Sequence, residues 1–132
     1  MNGPGRAVVR VLLVEDEPAN RALVRAIIAR ADPTTVPEIH LLEAATMADA
    51  RSFLASESLD AVLVDVRLPD GNGLDLIGEI RARDGEVKVI VVSASVLPAE
   101  RASALATGAD GFLAKPFGAD AFVDVLRGLG GA

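Results

Sequence analysis

The sequence predicts a doubly wound α/β domain built on a five-stranded parallel sheet. Short continuous apolar runs rich in Val, Leu and Ile occupy residues 8–14, 39–42, 61–64, 87–92 and 111–113, as in strands covered on both faces. Between them lie segments with apolar residues three and four apart, the spacing of one helix face. Helix-start and helix-stop residues fall at the borders between the two patterns. Right-handed strand–helix–strand units of this kind stack into three layers.

The elements follow in chain order. The first strand, 8–14, runs into Glu15-Asp16-Glu17, and Pro18 suits the first turn of a helix whose stripe is Leu23, Ile27 and Ala31. His40 opens the second strand and is read as a partly exposed filler. Thr46 can cap a second helix with Met47, Ala50 and Leu54 inward. Asp60 ends the turn into the third strand, which Asp65 follows directly. After Pro69, Asp70-Gly71-Asn72-Gly73 reads as turn and cap chemistry ahead of a third helix with Leu74, Ile77 and Ile80. Ser93 follows the fourth strand. Pro98 opens and Gly108 ends a fourth helix, whose stripe is Ala102, Leu105 and Ala109. Lys115 follows the fifth strand, and Phe122, Val125, Leu126 and Leu129 face inward from a fifth helix. The glycine-rich ends, Gly3 to Gly5 and Gly128 to Gly131, are expected to fray.

At 132 residues the chain is one domain, 1–132, with a core from about 8 to 129. Nineteen acidic against thirteen basic side chains give a net charge of −6, which repels a nucleic-acid backbone or an anionic membrane. There is no Cys, Trp or Tyr and a single His, which excludes thiolate chemistry, histidine-based metal clusters and the usual base-stacking platforms. Arg10 and Glu15-Asp16-Glu17 interrupt what would otherwise resemble a secretion signal. The expected location is cytoplasmic.

In open parallel sheets, ligands bind beyond the carboxyl ends of the strands where strand order reverses. If the order is 2-1-3-4-5, the first and third strands are neighbours, and Glu15, Asp16 and Asp65 converge beside Ser93 and Lys115. Such a carboxylate cluster needs a cation, and Mg2+ suits hard oxygen donors. A carboxylate beside Mg2+ can attack phosphorus to give an aspartyl phosphate. Taken singly, each residue has an ordinary reading: acids at a helix N-terminus, a strand-end hydroxyl, a solvated lysine before a proline turn. Their joint placement at one end of one sheet is what points to a site.

With these residues identified, the sequence resembles the receiver domain of two-component response regulators. Residues 12–18 (LLVEDEP) are similar to the family's acidic-pair segment and 60–73 (DAVLVDVRLPDGNG) to its phosphoacceptor strand and loop. Residues 91–94 (VVSA) resemble its hydroxyl element and 108–117 (GADGFLAKPF) its lysine-proline element. The resemblance implies a flavodoxin-like receiver fold with order 2-1-3-4-5 and a cis Lys115-Pro116 bond. Asp65 would accept a phosphoryl group from a histidine kinase or histidine phosphotransfer protein. Mg2+ would be held by Asp16, Asp65 and the backbone carbonyl of Arg67, with Glu15 acting through water. Lys115 would pair with the phosphoryl oxygens, and Ser93 would bond the phosphoryl group. Phe112 would be the switch aromatic, a static core ring being its other reading.

Two departures qualify the match. Glu15 replaces the commoner Asp, and Phe112 replaces the commoner Tyr, so a switch here runs on packing alone. Arg67 would lie near the phosphoryl group and tune its lifetime, and Asn20-Arg21 resembles receivers attached to or served by hybrid kinases. The chain ends just after the fifth helix, so the expected output is by contact: a stand-alone receiver whose face of fourth helix, fifth strand and fifth helix meets a downstream protein or a second copy. It would be a phosphoacceptor, able to take phosphate from small donors and to lose it again, and not an enzyme. A receiver excised from a longer regulator, or an unphosphorylated scaffold, is the alternative. A haloacid-dehalogenase-like phosphatase would need D-x-D where Asp65-Val66-Arg67 stands, and a nucleotide or flavin binder would need a glycine-rich loop after the first strand.

Overall fold

A computed structural model of the chain describes residues 8–94 and 97–129. Of the glycine-rich ends expected to fray, 3–5 and 130–131 lie outside the described residues, whereas Gly128 lies in the last turn of α5 (Ala119–Leu129). The main elements are β1 (Val8–Val14), α1 (Pro18–Arg30), β2 (Glu38–Ala44), α2 (Met47–Ser56) and β3 (Ala61–Asp65). A two-residue pair, β4 (Arg67–Leu68) and β5 (Gly71–Asn72), precedes α3 (Gly73–Arg83). Then come β6 (Lys88–Ser93), α4 (Pro98–Thr107), β7 (Gly111–Ala114) and α5 (Ala119–Leu129). The five long strands are all parallel in the order β2-β1-β3-β6-β7, so the predicted 2-1-3-4-5 arrangement holds.

The sheet divides the apolar interior in two. On one face Leu12, Val14, Val62, Val64, Val89 and Val91 meet Met47 and Ala50 of α2, Leu76, Ile77 and Ile80 of α3, and Ala104 of α4. On the other, Val9, Val11, Leu13, Ala61, Leu63 and Val92 meet Val24 and Ile27 of α1 and Phe122 and Leu126 of α5. Alternate strand residues therefore feed opposite halves, the period-2 signature of a doubly covered strand. The central strand β3 is buried along its whole length.

Caps fall where the sequence places them. Pro18 and Pro98 open α1 and α4, Thr46 Oγ1 accepts from the Asp49 N–H at 3.0 Å, and the Asn72 side chain accepts from the Leu74 N–H at 2.8 Å. Gly108 ends α4 with φ +117°, a conformation glycine adopts without the Cβ penalty.

Some expectations need correction. Leu23 and Leu105, expected on inward stripes, are 43% and 54% exposed, and Ala102 is exposed too. Ile27 is buried as expected, while Val24 of α1 takes the place of Leu23 and Ala104 of α4 that of Leu105 and Ala102. Adjacent apolar residues in α1, and an α4 with alanine at four of its ten positions, fit several helical phases equally well, so spacing alone does not choose among them. Asp65 and Ser93 are the last residues of β3 and β6 and do not follow them. The β4–β5 pair was not foreseen.

Candidate functional site

Among the described residues, the buried polar or charged side chains are Glu15, Asp65 and Ser93, and all three lie at the carboxyl end of the sheet. Burial of polar groups is costly without partners, and the partners are local. The Glu15 N–H donates to the Ala44 carbonyl at 2.9 Å, holding the residue at the mouth of β1. Glu15 Oε2 accepts from the Glu17 N–H at 3.1 Å and Oε1 from Asn20 Nδ2 at 3.3 Å, while Arg21 Nη1 donates to the Glu15 carbonyl at 2.9 Å. Asp65 Oδ1 accepts from the Arg67 N–H at 3.2 Å.

Behind Asp65 the backbone turns tightly into α3. The Gly73 N–H donates to the Val66 carbonyl at 2.7 Å, and a Cβ on Gly73 would lie 2.0 Å from the Asp65 carbonyl oxygen. Only glycine fits that approach. On the far side the Lys115 N–H donates to the Ser93 carbonyl at 2.8 Å, and the Lys115–Pro116 peptide is cis, as the resemblance implied.

Lys115 joins the two strand ends electrically. Its Nζ lies 2.5 Å from Glu15 Oε1 and 2.6 Å from Asp65 Oδ2. Burial pushes the Glu15 carboxyl above its ordinary range, and the Lys115 ammonium only partly offsets this. Burial pulls the Lys115 ammonium down, but its hydrogen bonds and charge contacts with Asp65 and Glu15 outweigh that, leaving it above its ordinary value.

Carboxylate oxygens of Glu15, Asp16 and Asp65 come within 4.8 Å of one another. Lys115 pairs with two of the three carboxylates, and every side chain of the cluster offers a hard oxygen, so the cluster fits a Mg2+-type ion better than a soft or imidazole-seeking metal. Asp16, Glu17, Asp65, Arg67, Ser93, Ala94 and Lys115 line one pocket of about 430 Å3. Glu15, Asp16, Asp65, Ser93 and Lys115 are thus assembled as the sequence predicts, with Arg67 at the rim.

Phe112 stands one step away. It is half-buried, packs on the α3–α4 half of the core and lies beneath the Arg101 guanidinium, with Cζ 5.0 Å from the ring centroid. A second cavity of about 240 Å3, lined by Ser93, Phe112, Val66 and Leu74 among others, adjoins the first through Ser93. Sequence reasoning gave no role here to Asn20, Arg21 or Arg101. A polar helical residue five or six positions after an acidic strand end was the available signal for the first two.

A family model for the response regulator receiver domain matches residues 11–127. The chain belongs to this family. Transcriptional regulatory protein TcrA of Mycobacterium tuberculosis is 36% identical to the receiver over 135 residues, covering 96% of this chain and 50% of that protein. The receiver spans about half the length of the curated relatives it matches. The non-phosphorylated HemR receiver domain of Leptospira biflexa superposes with a TM-score of 0.81 at 27% identity, covering 94% of this chain and 95% of that one. Chemotaxis response regulator CheY4 of Vibrio cholerae shares the fold, with a TM-score of 0.82 at 21% identity and coverage of 93% and 99%. No helix among the described residues is long and apolar enough to cross a membrane.

Proposed function

We propose that Asp65 is the Mg2+-dependent phosphoacceptor of a two-component phosphorelay. The observation that carries this reading is a buried Asp65 with Lys115 Nζ at 2.6 Å, inside a three-carboxylate cluster and in one pocket with Ser93. An Asp65 carboxylate oxygen attacks the phosphorus of a phosphohistidine on a histidine kinase or histidine phosphotransfer protein. The O–P bond forms as the P–N bond breaks, and the departing imidazole keeps the electron pair and takes a proton from solvent. Asp16, Asp65 and the Arg67 carbonyl would hold the metal, with Glu15 reaching it through water. Mg2+, when bound, neutralises charge on the transferring oxygens.

Lys115 then exchanges a carboxylate for a phosphoryl oxygen, and the Ser93 hydroxyl donates to another. Ser93 lines both cavities, so drawing it toward the phosphoryl group opens room for the Phe112 ring to move inward. That motion reshapes the α4–β7–α5 face, where a downstream protein or a second copy of the chain would dock. Small acyl phosphates serve as alternative donors, and water later hydrolyses the acyl phosphate, so the receiver acts as a cytoplasmic signalling phosphoacceptor and not as an enzyme with its own substrate.

The test is intact-protein mass after incubation with a small acyl phosphate and Mg2+, beside Asp65→Asn. One phosphoryl adduct that requires Mg2+ and is lost in the variant is expected. Where no adduct forms, beryllofluoride binding followed by NMR decides, and a chain that takes neither refutes the proposal.

A further inference from the structure

The β4–β5 pair carries Arg67 to the rim of the acidic pocket, and it is tied to the molecule at an unexpected place. Asp70, at its turn, crosses to the start of α2: Oδ1 accepts from the Met47 N–H at 2.8 Å and Oδ2 from the Ala48 N–H at 3.1 Å. Hydrogen bonding from Met47 is the main reason its carboxyl lies below its usual range. Met47 itself is 2% exposed and anchored in the α2–α3 half of the core. The next turn residue is packed on the same side chain, since a Cβ on Gly71 would fall 2.4 Å from Met47 Sδ.

α2 also has its own cap, since Thr46 serves the Asp49 N–H, while Asp70 serves the Met47 and Ala48 N–H groups before it. The pair needs it more: two-residue strands with one register, Arg67 opposite Asn72 and Leu68 opposite Gly71, hold little structure alone. Its other fixed point is the Gly73 N–H bond to the Val66 carbonyl. The segment from 66 to 73 is thus held at its end by the strand-to-helix turn and at its middle by Asp70.

We propose that Asp70 is a positioning residue for the metal site: by fixing the β4–β5 turn to the N-terminus of α2, it sets the place of the Arg67 carbonyl and hence the affinity for Mg2+. This rests on the phosphoacceptor reading above, in which that carbonyl is a ligand. Groups bonded directly to a metal ligand typically matter about 10–100-fold to metal affinity, and Asp70, which acts on Arg67 through the turn backbone, belongs at the low end of that range.

The experiment measures Mg2+ affinity by NMR titration, and amide hydrogen exchange without metal, for the full chain and for Asp70→Ala, Asp70→Asn and Thr46→Ala. Asp70→Ala should bind Mg2+ about tenfold more weakly, with faster exchange at residues 66–72. Asp70→Asn keeps one acceptor and should fall between. Thr46→Ala weakens the same helix start without touching the turn and should bind Mg2+ as the wild type does. Wild-type affinity in Asp70→Ala, or in Asp70→Asn if the alanine variant does not fold, overturns the proposal. So does an equal loss in Thr46→Ala, which would make the effect one of helix capping. A wild-type chain that binds no Mg2+ refutes the phosphoacceptor reading instead, while the exchange comparison still tests the tether.

Discussion

Replacing Lys115 with Met keeps most of the side-chain length and removes the cation that holds two carboxylates. At an effective dielectric of about 20, its contacts at 2.5 and 2.6 Å each carry about 6 kcal/mol of gross attraction. Carboxylate oxygens within 4.8 Å of one another repel by about 3.5 kcal/mol per pair on the same basis. Desolvation cancels most of the attraction, and breaking a buried pair from one side costs about 3–5 kcal/mol. The side chains of Lys115, Glu15 and Asp65 are 14%, 4% and 11% exposed, so some water screens them and the lower end applies. Lys115→Met should therefore lose about 3 kcal/mol near pH 8 without Mg2+, a fall of about 10 °C in Tm for a domain of this size.

The loss should depend on pH with a definite sign. A group whose folded pKa is raised supports folding below its unfolded pKa and withdraws that support as pH rises through the folded value. Glu15 is such a group, because burial raises it. Without Lys115 burial acts unopposed, so the variant's deficit should shrink by about 1.4 kcal/mol for each unit by which the Glu15 pKa rises further, once pH falls below the folded value. The raised Lys115 ammonium has the alkaline counterpart: its wild-type contribution is intact below about 10.5 and is lost as pH climbs through its folded value. Urea unfolding followed by far-UV circular dichroism suits a chain without Trp or Tyr. Mg2+ should narrow the gap between variant and wild type by supplying the missing positive charge. A deficit that is the same from about pH 5 to pH 8 and indifferent to Mg2+ would refute the electrostatic account of Lys115.

Two further outcomes test the frame around the site. Gly73→Ala must push the Asp65 backbone aside and should cost about 3 kcal/mol in urea unfolding; a neutral result would mean that the turn yields freely. Arg81 Nε donates to the Gly108 carbonyl at 2.8 Å, Nη1 to the Val87 carbonyl at 2.5 Å, and Nη2 to Asp110 Oδ2 at 2.5 Å, tying the end of α3 to the loops around β6 and β7. Arg81→Ala should cost about 2–3 kcal/mol and speed hydrogen exchange at Gly108 and Ala109, with Mg2+ affinity unchanged.

The parallel strands and the converging acids were legible because burial on both faces produces unbroken apolar runs and because the residues that break them are charged. The borders were less legible. Asp65 and Ser93 look like loop residues to any hydropathy reading, yet their backbones still pair in the sheet, Asp65 beside Val92 and Ser93 beside Ala114. The β4–β5 pair is too short to have a period. Asp70 reads locally as a turn former, and its partners lie 22 and 23 residues away, on an element the local sequence does not indicate. The Arg101–Phe112 contact likewise joins two elements whose relative placement only the packed fold supplies.

The alternation along the strands has one more consequence. Asp65 shares a sheet face with Ala61 and Leu63, the half packed on α1 and α5, whereas Ser93 and Phe112 align with Val91 on the half packed on α2, α3 and α4. The residue that would receive the signal and the residues that would act on it belong to different compartments, with the sheet as bulkhead and the two cavities meeting at Ser93 on its carboxyl rim. Substitutions that loosen one compartment must cross a sheet of continuous hydrogen bonds to be felt in the other. Reception and response can therefore drift separately in sequence, provided the rim itself stays fixed.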